Sequence, residues 1–301
     1  MDNNELVSVI IPTYGRPDTL TAAVQSVLES KEVNIEVIVV DDNDPDTDSR
    51  KLTSDLMEQV EDSRVHYLQH KQNINASAAR NTGFLKSKGQ YICFLDDDDQ
   101  FLSDKLAKQV AFLQNSPSYD AVYCGWHKDG EDVYPSLSGR LTKELLLMDY
   151  TPMTSSIMFK REAIEDLNGF DETFKRHQDY EIMLRFFEKH SIGYISEILL
   201  NSGKNQGENR MYGQRLDELK AFYFKTFEEK IEELDNATPG IKDDIYSKHY
   251  ASTFWNHINH KNYQLGLNLL LSNLKDRPFK FTRDASKFLF KHVKKQIKEK
   301  Q

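Results

Sequence analysis

The feature that most constrains this chain is an apolar run that ends in acid: Tyr91 to Leu95 leads directly into Asp96, Asp97, Asp98 and Asp99. The run is short and rich in aromatic and branched residues behind Gly89, so it predicts a buried strand with four carboxylates at its carboxyl end. Adjacent carboxylates repel one another and resist desolvation, so such a strand tip calls for a compensating cation. Oxygen-only ligands suit Mg²⁺ or Mn²⁺, ions that commonly keep bound water and bridge substrate phosphates. The competing reading is a solvated acidic turn ahead of a helix, where acids are favourable at the N-terminus.

The pattern upstream of this tip sets the fold. Residues 6–11 form a β-branched strand stopped by Pro12, a helix follows over 17–30, and a second strand over 35–40 runs into Asp41 and Asp42. A helix near 47–60, a strand at 65–68 and a helix from Asn75 to Gly89 complete the alternation. Strand and helix in turn predict a parallel sheet with helices on both faces, and ligands in such sheets bind outside the carboxyl ends of the strands. That rim collects Thr13, Tyr14, Gly15 and Arg16, then Asp41 and Asp42, then Asp96 to Asp99.

The first turn has neither the three-glycine dinucleotide fingerprint nor a Walker lysine, which disfavours a dehydrogenase or a P-loop NTPase. Tyr14 offers a flat face for a base, Arg16 a donor to phosphate or a uracil edge, and one of Asp41 or Asp42 an acceptor for an imide N–H. Taken singly, a half-buried loop aromatic and turn or cap acids are the simpler readings of these residues. Residues 75–83 are small, with Asn75 as the expected N-cap, so free N–H groups and Arg80 near the helix start would favour a diphosphate. The alternative is a tightly packed helix with Arg80 paired to an acid.

Beyond the acids, a helix (103–115) and a strand (119–126) continue the sheet, a short apolar helix spans 141–148, and strands follow at 155–159 and 192–200. A polar loop at 201–212 is expected to act as a mobile lid. From about 214 the chain reads as helices at 214–234, 241–258, 260–274 and 279–298. This divides it into a domain at 1–213 and a helical region at 214–301.

Hydrophobic residues at 39% and charged residues at 29% match ordinary globular usage, which excludes wholesale disorder. Cys93 and Cys124 both fall in expected strands without metal-ligand spacing, which points to core packing in a reducing compartment. No basic stretch leads into a long apolar segment, so a cytoplasmic protein is expected. The net charge of −9 disfavours nucleic acid, yet the segment from Lys280 onward carries eight basic residues against Asp284 and Glu299. Phe281, Ala285, Leu289, Val293 and Ile297 recur every four residues there. Such a basic amphipathic helix either lies on the inner face of an anionic membrane or packs its stripe on the helices before it.

Five segments together resemble the inverting glycosyltransferases of family 2, which have the GT-A fold: residues 7–14, residues 37–42, Asn75 to Gly83, Phe94 to Asp99, and Gly169-Phe170-Asp171-Glu172 through Gln178-Asp179. The resemblance covers roughly residues 6–200. It implies a metal-dependent transfer of a sugar from a UDP-sugar to a hydroxyl of a glycan or lipid-linked acceptor in cell-surface polysaccharide synthesis. It further implies that Thr13, Tyr14, Arg16, Asp42 and Arg80 hold the uridine diphosphate, with Asp42 on the uracil. Asp98 would bind Mn²⁺ or Mg²⁺, Asp96 would sit nearer the ribose or a metal-bound water, and Asp179 would be the catalytic base. One departure stands out: the loop where the family often has a His near the metal has none at 201–212, leaving Asn205, Asn209 or Arg210 to close over the diphosphate. A nucleotidyltransferase and a non-catalytic nucleotide-sugar or glycan-binding module are the rival readings. The first usually has a Gly-rich basic first loop, absent here, and retention of both Asp98 and Asp179 argues against the second.

Overall fold

The computed structural model describes residues 5–203 and 211–298, with side chains as far as residue 290. The chain divides into two compact units, one of residues 1–142 and 152–205, the other of residues 143–151 and 206–301.

The first unit is built on β1 (Leu6–Thr13), β2 (Asn34–Asp41), β3 (Val65–Gln69) and β4 (Tyr91–Phe94), all mutually parallel. β1 and β2 are buried along nearly their whole length rather than on alternate residues, as interior parallel strands covered on both faces must be. The register sets Thr13 beside Asp41 and Ile10 beside Phe94, so the carboxyl ends of β2, β1 and β4 share one rim. Helices α1 (Pro17–Leu28) and α2 (Asp48–Glu58) belong to this half. α1 starts on Pro17, which needs no N–H partner in a first turn, and buries Leu20, Ala23, Val24 and Val27. α3 (Ala76–Lys86) is capped by the Asn75 side chain, which accepts from the Ala78 N–H at 3.0 Å.

The small residues of α3 allow close approach to the sheet: a Cβ at Gly83 would lie 2.4 Å from Ile10 Cγ2 in the fully buried centre of β1. Gly83→Ala gains about 1 kcal/mol of helix propensity. It also overpacks a rigid core at up to about 3 kcal/mol. A net loss of about 1–2 kcal/mol is therefore expected in chemical denaturation; an unchanged midpoint would show that α3 and β1 can part at no cost.

Past β4 the sheet is mixed. The remaining elements are β5 (Gln100–Phe101), α4 (Lys105–Asn115), β6 (Ala121–Lys128), β7 (Glu131–Val133), β8 (Ile157–Lys160), α6 (Arg161–Asp166), α7 (Gln178–Lys189) and β9 (Ile192–Asn201), with α5 (Thr142–Leu146) before β8. The strand order is β3-β2-β1-β4-β8-β6-β9-β5, with β7 paired to β6. β8 runs antiparallel to both β4 and β6. The α/β class with a mostly parallel sheet read from the sequence holds, and β8 is an exception within it: α4 carries the chain past a vacant position that β8 later fills from the opposite direction. The reversal has a local use, since it puts the start of β8 beside the end of β4. There Ser155 Oγ accepts the Asp96 N–H at 3.1 Å.

The second unit consists of α8 (Gln214–Thr226), α9 (Glu228–Ala237), α10 (Ile241–Asn259), α11 (Tyr263–Asp276) and α12 (Pro278–Lys298), together with 143–151. Segment 143–151, read from the sequence as part of the first domain, is tied to α10: His249 Nε2 meets the Leu146 carbonyl at 2.9 Å and Lys248 pairs with Asp149 at 2.6 Å. The single helix expected over 214–234 is broken at Phe227, which is buried against Tyr223. Phe281, first of the expected membrane stripe, is fully buried edge-on to Phe254, and the Ala285 carbonyl accepts from Trp255 Nε1 at 2.7 Å. The start of that stripe therefore packs on α10. The side chains of Val293 and Ile297 lie outside the described residues.

Candidate active site

At the tip of β4 the Asp99 N–H closes a turn on the Asp96 carbonyl at 3.0 Å, and the four acids separate into two pairs. Asp97 and Asp99 are each only 3% exposed. Asp97 accepts from the Thr13 hydroxyl at 2.8 Å, and Asp99 from the Gly203 N–H at 2.9 Å. Burial pushes the Asp97 carboxyl up to about 6, against the pull of Arg16 and Thr13. Burial and then the neighbouring Asp96 push Asp99 up to about 7. Asp96 and Asp98 face outward, and each meets an arginine: Arg80 to Asp96 at 2.7 Å and Arg16 to Asp98 at 2.6 Å, with Arg16 also 3.3 Å from Asp97. Gly203 seats on this turn so closely that a Cβ there would lie 2.0 Å from the Asp98 carbonyl oxygen.

Arg80 joins three elements. From the middle of α3 its guanidinium donates to Asp96 at 2.7 Å and to Gln178 Oε1 at 3.1 Å, the first residue of α7, while lying 5.3 Å above the Phe170 ring. The next residue is Asp179. It sits at the α7 start after His177, whose left-handed backbone (φ 58°) sets the helix entry. Burial pushes its carboxyl up to about 6; backbone N–H donation at the helix start and the charge of Arg80 act the other way.

The turn before α7 is clamped to α3. Asn81 accepts the Phe170 N–H at 2.8 Å and donates to the Phe170 carbonyl and to Glu172 at 2.9 Å each, and Asn75 donates to the Glu172 carbonyl at 2.9 Å. Gly169 has φ 73°, and a Cβ there would lie 2.5 Å from Asn81 Oδ1. Residues 169–172 thus act as scaffold, holding Phe170 under Arg80 and edge-on to Phe94 at 5.0 Å.

The expected nucleotide residues are placed unequally. Tyr14 is 55% exposed beside the acid turn, to which its N–H donates at Asp97. Thr13 is buried, with its hydroxyl committed to Asp97. Asp42 is 2% exposed and faces the loop at 70–74. Its carboxylate accepts from the Ile74 N–H and Asn73 Nδ2 at 2.9 Å each and meets His70 Nδ1 at 2.7 Å, so a base edge would compete with three partners already in place. Asn205, Asn209 and Arg210 lie outside the described residues. Gln178 and Asn81 fall in segments that carry the resemblance, yet neither they nor Ser155 and Gly203 were given a role, because common polar and small residues become informative only once their partners are known.

Among the described residues no three His, Cys, Asp or Glu side chains converge as a metal-binding group. The chain supplies two outward carboxylates, Asp96 and Asp98, already balanced by cationic side chains. That oxygen-only pair fits a divalent ion such as Mg²⁺ or Mn²⁺ whose other ligands are phosphate and water. The partner of Asp98, Arg16, stands on a partly exposed loop, whereas that of Asp96, Arg80, is fixed between two helices.

Residues 8–190 match the model of the family described as Glycosyl transferase family 2. A UDP-Glc:alpha-D-GlcNAc-diphosphoundecaprenol beta-1,3-glucosyltransferase of Escherichia coli, WfaP, is 37% identical over 122 residues, covering 40% of this chain and 47% of that protein. The chain spans about a third of the length of the first curated relatives it matches, uncharacterized glycosyltransferases of Rickettsia; the one from Rickettsia conorii is 30% identical over 214 residues, which is 67% of this chain and 34% of its own. Among solved structures, S. aureus TarS 1-349 in complex with UDP-GlcNAc superposes with a TM-score of 0.61 at 18% identity, covering 84% of this chain and 72% of that one. The Pyrobaculum calidifontis mannosyltransferase PcManGT, in complex with GDP-Man and Mn²⁺, gives 0.57 at 16% identity, covering 97% and 80%. At these identities the two structures speak for the GT-A-like fold alone.

Proposed function

The chain belongs to glycosyl transferase family 2, and on that premise we propose that it moves a sugar from a UDP-sugar to a hydroxyl of a glycan or lipid-linked acceptor in cell-surface polysaccharide synthesis. The observation that carries the proposal is the Arg80 bridge, which brings the acid tip of β4 and the start of α7 into one site. The UDP-sugar and the lipid-linked acceptor are supported by the name of the E. coli relative.

In this reading Tyr14 stacks on the base and Arg80 meets the diphosphate. Asp98, with Asp96 beside it, would hold Mn²⁺ or Mg²⁺, and such an ion would supply charge neutralisation for the departing diphosphate. Arg16, on the loop that ends β1, supplies a second cationic donor to the phosphates. Asp179 takes the proton of the acceptor hydroxyl as that oxygen attacks the anomeric carbon. A single displacement needs only one such base, so configuration inverts and no glycosyl-enzyme forms.

The test is release of UDP from a panel of UDP-sugars with and without candidate acceptors, followed by NMR of the product. Acceptor-stimulated UDP release with inversion is expected. Pyrophosphate exchange without UDP release would indicate nucleotidyl transfer instead, UDP-sugar binding without turnover would indicate a binding module, and retained configuration would exclude the single displacement.

A further inference from the structure

α11 half-buries Leu265, Leu269 and Leu270 but leaves a second apolar stripe outside. Its inward face buries Gly266 and Asn273, whereas Tyr263, Leu267, Leu271 and Leu274 are 61%, 53%, 59% and 40% exposed. Their spacing of four, four and three keeps them on one stripe of the helix. The same spacing recurs on α12, where Phe279, Arg283, Lys287 and Phe290 share one face. Phe279 and Phe290 are 89% and 74% exposed. Of the fourteen exposed large hydrophobic residues among those described, seven fall within 263–290, which concentrates them on two successive helices.

The charge around the patch selects its occupant. In residues 261–290 there are six Lys or Arg, of which Arg277, Lys280 and Arg283 pair with Asp243 and Asp244 of α10 while Lys261, Lys275 and Lys287 are exposed, and two Asp. One of the two, Asp284, is buried and paired with Arg283 and with the Ser247 hydroxyl. A second copy of the same face would meet like charge. No described helix is long and apolar enough to cross a membrane, so the patch suits a surface on which helices lie flat. We propose that the outward face of α11 and of the first half of α12 docks on an anionic lipid surface, with leucines and phenylalanines entering the interface and lysines meeting the headgroups. This differs from a membrane role for the stripe begun by Phe281, which faces the helical core. It stands independently of the donor and acceptor proposed above.

Flotation of the full chain with phosphatidylcholine vesicles, with and without about a third phosphatidylglycerol, tests this, since anionic lipid attracts basic segments. Wild type is expected to float with the anionic vesicles only. Leu267→Ser/Leu271→Ser/Phe279→Ser/Phe290→Ser and, separately, Lys275→Gln/Lys287→Gln are each expected to lower partitioning about tenfold or more. Both should keep the parent melting profile, because the altered side chains are exposed, and both should retain UDP-sugar hydrolysis in lipid-free buffer. Flotation equal on neutral vesicles, absence of flotation, or an apolar variant that floats like wild type would overturn the proposal. So would a lipid-free dimer, seen in sedimentation, that the apolar variant renders monomeric; the face would then belong to a second copy.

Discussion

Asp179→Asn is expected to fold, to bind UDP with unchanged affinity, and to turn over ~10²–10⁴-fold more slowly, the range for loss of one general base. The parent should also show an acid limb. Burial pushes the Asp179 carboxyl up to about 6, and a base must be ionised to act, so kcat/KM should fall as pH drops through about 6 and level off above it. Asp97 titrates in the same range, so the deciding measurement is the residual rate of the variant across pH. If Asp179 is the base that residual profile loses its limb near 6, and if the limb persists it belongs to the acid tip. Turnover near the parent level would move the role elsewhere. Neither neighbour is an easy substitute: Glu181 is buried and paired with Arg185, and Asp171 accepts from the Thr173 N–H and hydroxyl at 2.8 and 2.7 Å.

Asp98→Ala is the second large effect expected. With Mn²⁺ present, UDP affinity should fall at least about 10–100-fold, the loss seen when even a supporting partner of a metal site is removed. The reason is electrostatic: a diphosphate approaching four carboxylates requires a cation between them, and Asp98 is an outward acid whose partner Arg16 is partly exposed. Excess chelator should lower parent affinity to the level of the variant, and the variant itself should be insensitive to chelator. Calorimetry showing equal UDP affinity for parent and variant, or for parent with and without chelator, would remove Asp98 from the metal role.

What could be read from the sequence, and what could not, follows from the range of the interactions involved. β1 and β2 were legible because strands buried on both faces are written as unbroken apolar runs, and the acid tip because four consecutive aspartates are a local fact. Arg80 was legible as an anion-seeking group near a helix start. Its actual partners, Asp96 and Gln178, are 16 and 98 residues away, and no local pattern announces them. The reversal of β8 was hidden for the same reason, since a four-residue apolar run carries no mark of direction. Which acids of the tip point outward depends on Thr13 and Gly203, 84 and 104 residues distant. Asp42 was legible by its place just past β2, whereas its partners in the loop at 70–74 lie 28 to 32 residues on, where a local window never includes them. The tail stayed open between two readings, because a repeat of four fits an inward face as well as an outward one, and the position of α10 decides for packing at Phe281.

The clamp between Asn81 and the turn at Gly169 bears on how this protein can diverge. Position 169 admits a side chain only if the residue at 81 recedes, and it also requires a backbone with φ 73° that side chains rarely adopt. A shortened residue at 81 would in turn leave the Phe170 N–H and carbonyl without their partner. Neither position can drift alone without loosening the ring beneath Arg80, so in descent the two are expected to change together. A chimera that exchanges the segment from β8 to α7 for that of a relative must bring the matching α3 with it.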